Sequence, residues 1–272
     1  MKIYKATKTL DSYLPPLDFT DSKEEAEIMV VGGKKIELNE FPKLRGIFKT
    51  GVGTDNLPFK EAKKRGIAIQ LPSDSTCDII YEETAAFTCY LILRGLYTNT
   101  GNWDLWKKYD RVQLKEKELL VIGAGRIGSR VIEKMNMFMR VQSFDVSEDT
   151  MDSLEERMRA ADCISLHIPL NSSTTHFIDS EKLSWLKKDA LVVNTSRGPV
   201  IDESALFDEL SSGRARAAID VFWKEPYNGK LVNLPGDRFI RTPHIASTCD
   251  EFVKGATEDF LEFVSLFVKI DY

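Results

Sequence analysis

Between residues 118 and 243, short apolar runs alternate with amphipathic segments of helical length, and this alternation constrains the fold more than any other feature of the chain. Six apolar runs recur there at about the spacing of a βαβ unit: residues 118–123, 140–145, 162–167, 190–194, 216–221 and 239–242. Their apolar character is continuous rather than alternating, which indicates strands covered by helices on both faces. The pattern therefore predicts a doubly wound α/β domain with a parallel sheet.

The flanking residues predict a second domain and two long helices. The first hundred residues repeat the same pattern more compactly, which indicates a smaller α/β domain. Residues 78–97 are evenly apolar, and we expect this helix to be buried between domains or subunits. Residues 250–270 place apolar side chains at helical spacing and predict another packing helix. Residues 222–238 contain two prolines and two glycines and predict a long loop of the kind that often carries function.

The composition favours a small molecule as the binding partner. The 37 basic and 42 acidic side chains leave a net charge of -5, so electrostatics give no reason to expect nucleic acid or an anionic membrane. No apolar run approaches the roughly 18 to 20 residues that cross a bilayer. The four cysteines lack metal-ligand spacing, so we expect reduced thiols in the cytoplasm and no metal site.

Residues 123–128 form a GxGxxG pattern between a predicted strand and a helix-like segment. In that context Gly123 permits a tight turn, Gly125 lets the backbone approach a pyrophosphate, and Gly128 allows close helix packing. Asp145 ends the next predicted strand, where its carboxylate would accept hydrogen bonds from ribose hydroxyls and repel a 2′-phosphate. The pattern predicts an NAD site, and a glycine turn without a ligand is the alternative.

Several polar residues lie at or just after the ends of the predicted strands. In a doubly wound sheet, ligands bind outside the carboxyl ends of the strands, so these side chains should meet at one edge. From the second strand to the sixth they are Asp145, His167 with Pro169, Arg197, Asp220 with Glu225, and His244. Their position favours a functional role for Arg197 and Glu225 over the alternatives, a surface cation and a loop carboxylate.

Arg197, Glu225 and His244 supply the three groups that hydride transfer to a ketone requires. Arginine binds a carboxylate through paired hydrogen bonds and can polarise a neighbouring carbonyl. Histidine can donate a proton in reduction and accept one in oxidation, and a nearby glutamate favours its protonated form. Of the other two histidines, we expect His167 to be structural or a neighbour of the cofactor, and His176 to lie on the surface.

Longer motifs of this chain resemble those of the D-isomer-specific 2-hydroxyacid dehydrogenase family. They are TGVGTDNLPFKEAKKRGIAI, VIGAGRIG, ISLHIPLNSSTTHFID, LVVNTSRGPVIDESAL, AAIDVFWKEP and TPHIAS, and they cover most of residues 45–250. The resemblance implies a Rossmann NAD-binding domain over residues 98–245 and a smaller flavodoxin-like α/β substrate domain formed by residues 1–97 and 246–272. It also implies an active site between the domains and a homodimer formed through the cofactor domain.

The resemblance further implies roles for individual residues. Arg197 would bind the substrate carboxylate, His244 would be the acid and base, and Glu225 would be its partner. The backbone around Val52 and Gly53 would hold the substrate from the other domain. Asp220 would bind the nicotinamide carboxamide. The full set of expected cofactor contacts is Gly123, Gly125, Arg126, Ile127, Gly128, Asp145, His167, Pro169, Thr174, Thr195 and Asp220.

The first domain departs from the family pattern. It is short, and residues 30–37 read VVGGKKIE where many relatives have an arginine. Lys34 or Lys35 could replace that cation, and a solvated turn is the alternative for both. The predicted function is an NAD-dependent dehydrogenase of a D-2-hydroxy acid. The competing hypotheses are a non-catalytic NAD(H) sensor of the same fold and a dehydrogenase for a phosphorylated or phosphonate acid.

Overall fold

The computed structural model describes residues 1–97, 101–108 and 110–268. The strands within these ranges are β1 (Ile3–Lys5), β2 (Phe19–Thr20), β3 (Ile28–Val31), β4 (Gly46–Lys49), β5 (Ala68–Gln70), β6 (Glu118–Ile122), β7 (Arg140–Phe144), β8 (Cys163–Leu166), β9 (Ala190–Asn194), β10 (Ala215–Ile219) and β11 (Phe239–Arg241). The α-helices are α1 (Phe59–Arg65), α2 (Asp74–Leu96), α3 (Arg126–Met135), α4 (Met151–Ala160), α5 (Ser180–Ser184), α6 (Glu203–Ser211) and α7 (Asp250–Val268). None of the helices in the described ranges is long and apolar enough to cross a membrane.

The chain divides into two compact units, a first unit of Met1–Ile80 with Ser247–Tyr272 and a second unit of Tyr81–Ala246. The sequence placed these boundaries at 97/98 and 245/246, so the larger difference lies within α2. The later part of α2 belongs to the second unit because side chains such as Leu91 and Ile92 pack into its core. Residues 98–100, beside the predicted boundary, and Ile270 of the predicted last helix lie outside the described ranges.

The first unit contains a parallel sheet in the order β2-β1-β3-β4-β5, which is the flavodoxin-like order. One face of the sheet packs against α7, where Phe48 contacts Phe260 and Phe263. The other face, which includes Met29 and Ile47, forms a core with Ala62 of α1. Burial of both faces explains why the inner strands β3 and β4 are largely apolar.

The second unit contains a parallel sheet in the order β11-β10-β9-β8-β6-β7. Alternate residues of β6 point to opposite faces. Leu119 and Val121 pack with residues of α2 and α3, whereas Leu120 and Ile122 pack with residues of α4, α5 and α6. The prediction of a doubly wound α/β fold with a parallel sheet is therefore confirmed.

The local signals of the sequence agree with the elements found. All six predicted strands of the second unit are present, and their ends move by two residues or fewer. The side chains of Asp179 and Asp202 accept hydrogen bonds from the backbones of Lys182 and Ala205 at 2.9 and 2.8 Å, so both act as helix caps. Residues 222–238 form the predicted loop, apart from a 3₁₀ turn at Lys230–Asn233.

Candidate active site

The glycine loop joins β6 to α3 at the carboxyl edge of the second unit's sheet. Gly123 has a φ of 95°, and a Cβ there would lie 2.7 Å from the carbonyl oxygen of His167. A Cβ on Gly128 would lie 1.9 Å from the carbonyl oxygen of Gly123, so only glycine lets the helix pack this closely. A Cβ on Gly125 would meet nothing within 4 Å. The loop therefore combines a tight turn at Gly123, open space for a ligand beside Gly125 and close helix packing at Gly128, as dinucleotide binding requires.

The first turn of α3 continues this surface. Arg126 and Ile127 are its first two residues, and Arg126 is exposed while Ile127 packs partly against the core. Nη1 of Arg126 donates a hydrogen bond to the Tyr81 hydroxyl at 2.9 Å. Because the first N–H groups of a helix lack partners within the helix, this end favours an anion. The residues present thus fit the pyrophosphate of NAD.

Asp145 follows β7, and its carboxylate lies beside the glycine loop. Oδ1 accepts hydrogen bonds from the Ser147 N–H at 3.0 Å and from the Ser147 hydroxyl at 2.7 Å, while Oδ2 lies 3.4 Å from the Ala124 N–H. The backbone and side-chain bonds from Ser147, with a smaller contribution from Ala124, hold the pKa of Asp145 below its ordinary value. The carboxylate is therefore charged and fixed in orientation next to the loop.

His167, Pro169 and Thr174 belong to the loop that follows β8. The Thr174 hydroxyl donates to the Pro169 carbonyl oxygen at 2.6 Å and accepts from the Asn171 N–H at 2.9 Å. Thr174 therefore holds this loop in shape, and its proton is already committed within the loop. Nε2 of His167 lies 2.8 Å from the Ser165 hydroxyl, and burial of the ring lowers the pKa of His167 to about 4.

Thr195, which follows β9, is tied to helix α2. Its hydroxyl lies 2.8 Å from the hydroxyl of Thr88, and Thr88 donates to the Thr84 carbonyl oxygen at 2.7 Å. Because Thr88 has one hydroxyl proton and that proton is used, Thr195 must donate to Thr88. The Thr195 hydroxyl can therefore only accept a further hydrogen bond, for example from a ligand.

Asp220 lies directly after β10 and is fully buried. Oδ1 accepts hydrogen bonds from the Thr242 hydroxyl at 2.6 Å and the Ile245 N–H at 2.9 Å, and Oδ2 accepts from the Ala246 N–H at 2.9 Å. These three bonds fix the loop after β11, which carries His244 in a left-handed conformation with a φ of 56°. The contacts of Asp220 thus serve this loop, and its expected contact with nicotinamide stays a prediction.

His244 and Glu225 form a close pair. Nδ1 of His244 lies 2.8 Å from Oε2 of Glu225, and Oε1 of Glu225 accepts from the Phe222 N–H at 3.0 Å. Burial would raise the pKa of Glu225, but the hydrogen bond and charge of His244, the Phe222 N–H bond and the charge of Arg197 together hold that pKa below its ordinary value. An ionised carboxylate can only accept, so Nδ1 of His244 carries a proton and Nε2 is the nitrogen left for substrate.

Arg197 lies in the turn between β9 and the short 3₁₀ helix Gly198–Val200, and its charge contributes to lowering the pKa of Glu225. Nη1 of Arg197 donates to the Ser196 carbonyl oxygen at 2.7 Å. A Cβ on Gly198 would lie 2.1 Å from the carbonyl carbon of Phe222, so the Arg197 turn packs directly against the backbone of the loop that holds Glu225. The loops after β9, β10 and β11 therefore converge.

Val52 and Gly53 belong to the first unit, where they follow β4 and are partly buried. The neighbouring Nζ of Lys49 donates to the Gly32 carbonyl oxygen at 2.6 Å and thereby ties the loop after β4 to the loop after β3. Lys34 is exposed, and Lys35 pairs with Glu37 at 3.2 Å with both side chains largely in solvent. Both lysines are thus exposed to solvent, and the roles of Lys34, Lys35, Val52 and Gly53 stay predictions.

Residues 94–246 match the family model described as the D-isomer specific 2-hydroxyacid dehydrogenase, NAD binding domain. The chain belongs to this family. The resemblance seen in its motifs is therefore confirmed, and the second unit of this 2-hydroxyacid dehydrogenase family member contains an NAD-binding domain.

Curated relatives of this family member include enzymes for several acids. A D-3-phosphoglycerate dehydrogenase of Methanocaldococcus jannaschii is 34% identical over 86% of this chain, and the chain spans only 48% of that relative. A glyoxylate reductase of Pyrococcus horikoshii is 31% identical over 89% of this chain and 78% of the relative. A crystal structure of D-lactate dehydrogenase from Aquifex aeolicus with NAD and lactic acid superposes with a TM-score of 0.79 at 26% identity, covering 100% of this chain and 96% of that one.

The structure of this family member also adds residues that sequence reasoning missed. Ser147 orients Asp145, Thr88 orients Thr195, Asn194 spans the turn to Arg197, and Gly198 lets two loops touch. The signals for Ser147, Asn194 and Gly198 were present, because each lies within four residues of a predicted site residue at a strand end. Thr88 carried no such signal, since it is 107 residues from its partner.

The pKa of His167 predicts a pH-dependent stability. As pH falls from 6.5 to 4, the unfolded chain binds a proton at this histidine while the folded chain resists it, so the free energy of unfolding decreases. Because the ring is only partly shielded from water, we expect a loss on the order of 2 kcal/mol. Urea unfolding should be measured for the wild type and for His167→Gln at several pH values. Between pH 6.5 and 4, the free energy of unfolding should fall more in the wild type than in the variant. A constant difference between the two proteins would contradict the burial argument.

Proposed function

We propose that this chain is an NAD-dependent oxidoreductase that interconverts a 2-keto acid and a D-2-hydroxy acid. The observation that carries this proposal is the His244–Glu225 pair at 2.8 Å, lying in loops that converge with the Arg197 turn at the edge that also holds the glycine loop. A donor of a proton, a carboxylate-binding cation and a dinucleotide loop are the groups that this reaction combines. The relatives named as reductases of glyoxylate support a small keto acid as the substrate.

Each of the three side chains has a separate task in the reaction. NAD, when bound, supplies the hydride chemistry. The planar guanidinium of Arg197 would hold the substrate carboxylate and polarise the adjacent carbonyl. Nε2 of His244 would donate a proton to the developing alkoxide in reduction and remove it in oxidation. Glu225 accepts from Nδ1 and so fixes the orientation of the ring, which leaves Nε2 to face the substrate.

The direct test is NADH oxidation with glyoxylate, pyruvate, hydroxypyruvate, branched and aromatic keto acids, and phosphorylated keto acids. We expect turnover of at least one acid, and a loss of about 100-fold or more in kcat for His244→Ala because the proton donor is removed. His176→Ala is the matched control, since its ring is 52% exposed and lies near Asp202 instead of Glu225.

The outcomes also separate the competing functions. Binding of NADH without turnover of any acid would contradict the proposed enzyme and favour a sensor of the same fold. Turnover restricted to phosphorylated acids would assign the site to that class. Equal activity of wild type and His244→Ala would remove His244 from the reaction.

We also propose that the site prefers NAD over NADP. The preference rests on the Asp145 carboxylate, which is charged and held beside the glycine loop by Ser147. A fixed negative charge repels the 2′-phosphate of NADP and can accept hydrogen bonds from the ribose hydroxyls of NAD. The N–H of Ala124 near the same carboxylate keeps it directed toward the loop.

Replacing this carboxylate should weaken the discrimination between the two cofactors. For Asp145→Ala we expect the ratio of kcat/KM for NADH to that for NADPH to fall by about tenfold or more, because a like-charge contact is removed. Asp152→Ala removes an exposed carboxylate from α4 and serves as the control. An unchanged ratio in Asp145→Ala would show that another group sets the preference.

The proposed assembly is a homodimer formed through the second unit. Residues 102–107 form a hairpin in which Asn102 and Lys107 exchange backbone hydrogen bonds at 2.8 and 2.9 Å. The hairpin leaves Trp103, Leu105 and Trp106 exposed at 80, 72 and 72%, although the two indole rings touch each other. Exposed aromatic clusters of this kind are typical of binding surfaces and of interface hot spots.

Removing the hairpin's aromatic rings should separate the subunits. A standard-size interface usually dissociates well below about 10 μM. In sedimentation equilibrium at about 10 μM we therefore expect the wild type to have twice the mass of one chain. The double variant Trp103→Ser, Trp106→Ser should sediment as a monomer. Val146→Ser, at an exposed apolar residue after β7, is the control and should remain dimeric. A monomeric wild type, or a dimeric double variant, would contradict the proposal.

A further inference from the structure

We propose that Asn194 is the positioning residue that sets the reach of Arg197, an inference that rests on the proposed function. Asn194 ends β9 and is fully buried. Its Oδ1 accepts hydrogen bonds from the N–H and the hydroxyl of Ser196 at 2.9 and 2.8 Å. Its Nδ2 donates to the carbonyl oxygen of Arg197 at 2.9 Å. One side chain therefore spans the entire turn between the strand and the arginine.

The chemistry of this turn specifies a carboxamide. One end of the side chain faces two donors, both from Ser196, and the other end faces an acceptor, the Arg197 carbonyl oxygen. This arrangement fixes which end is oxygen and which is nitrogen. Aspartate has the same shape but presents a second oxygen to the carbonyl, and an aliphatic residue would leave all three groups without these bonds. A buried polar group that loses its partner is costly, so the turn would have to move.

Movement of this turn acts directly on the guanidinium. The Arg197 carbonyl oxygen is held by Asn194 and by the Val200 N–H at 3.3 Å, while Nη1 of Arg197 bonds back to the Ser196 carbonyl oxygen at 2.7 Å. The backbone and the guanidinium of Arg197 are therefore both held by hydrogen bonds to the same turn. A displacement of about one ångström in a positioned group can reduce a rate by about 100-fold.

The rest of the sheet is independent of this side chain. The main-chain carbonyl of Asn194 accepts from the Asp220 N–H at 3.0 Å, and a substitution of the side chain keeps that bond. Pairing of β9 with β8 and β10 likewise uses main-chain atoms only. The loop that carries His244 is held by Asp220, so the proton donor should remain in place when Asn194 is replaced.

The experiment compares Asn194→Ala, Asn194→Asp and Ser196→Ala with wild type, using the keto acid that turns over fastest in the panel above. For both Asn194 variants we expect KM for the keto acid to rise about tenfold or more, because the Arg197 carbonyl loses its buried donor. KM for NADH should change less than KM for the keto acid, since the glycine loop and Asp145 lie on other strands and the Thr195 hydroxyl is held separately by Thr88. Ser196→Ala removes one of the two bonds to the same Oδ1 but keeps the bond to Arg197, so KM for the keto acid should rise less than in the Asn194 variants.

A double-mutant cycle with Arg197→Lys tests whether Asn194 acts through the arginine. If it does, Asn194→Ala should raise KM much less in the Arg197→Lys background than in wild type, so the two effects are not additive. Folding is checked by thermal unfolding, and Asn194→Asp retains the side-chain shape if the alanine variant does not fold. Wild-type KM in a folded Asn194 variant, or fully additive effects in the cycle, would overturn the inference. Failure of wild type to reduce any keto acid would instead overturn the proposed function.

Discussion

The buried carboxylate of Asp220 is the contact on which the candidate active site depends most. A charge without exposure to water is tolerated only when hydrogen bonds replace its solvation, and Asp220 receives three of them from residues 242–246. These bonds tie the end of β10 to the loop after β11. His244 lies in that loop with a φ of 56°, a left-handed conformation that residues other than glycine adopt uncommonly. The position of His244, the proposed proton donor, is thus set by the contacts of Asp220.

At two other strand ends of this sheet, a side chain holds the loop that directly follows its own strand. Asp145 after β7 accepts from the N–H of Ser147, and Asn194 at the end of β9 accepts from the N–H of Ser196. In each case the side chain bends forward onto the loop that follows and holds it against the rigid strand. A parallel sheet places all of these ends at one edge, so short turns fixed in this way can bring groups from distant parts of the chain together. The candidate site is therefore assembled largely from the turns at these strand ends.

The parts of this arrangement that the sequence predicted are those with a local signal. The inner strands of the second unit were recognisable because burial on both faces makes them nearly continuous apolar runs, whereas the edge strand β7 is mostly exposed. The glycine loop was recognisable from spacing, and Arg197, Glu225 and His244 from their position after strands. The division of α2 was not predictable, because an evenly apolar helix does not show which half covers which core. Strand β2 has two residues and is too short to form a pattern, and the direction of the Thr195 hydroxyl depends on Thr88 in a distant helix.

The edge of the sheet explains why cofactor choice should depend so strongly on one turn. The classic dinucleotide-binding order places a further strand outside the second one. In the described residues of this chain, α4 follows β7 and leads back to β8, so β7 is itself the edge strand. Asp145 therefore lies at the end of an edge strand, and its orientation comes from Ser147 and from the bond between its own N–H and Asp149 at 2.9 Å. Nη2 of Arg157, a residue of α4, donates to Asp149 at 2.7 Å. These contacts link Asp145 to α4, so a helix supports the turn where the classic order has an outer strand.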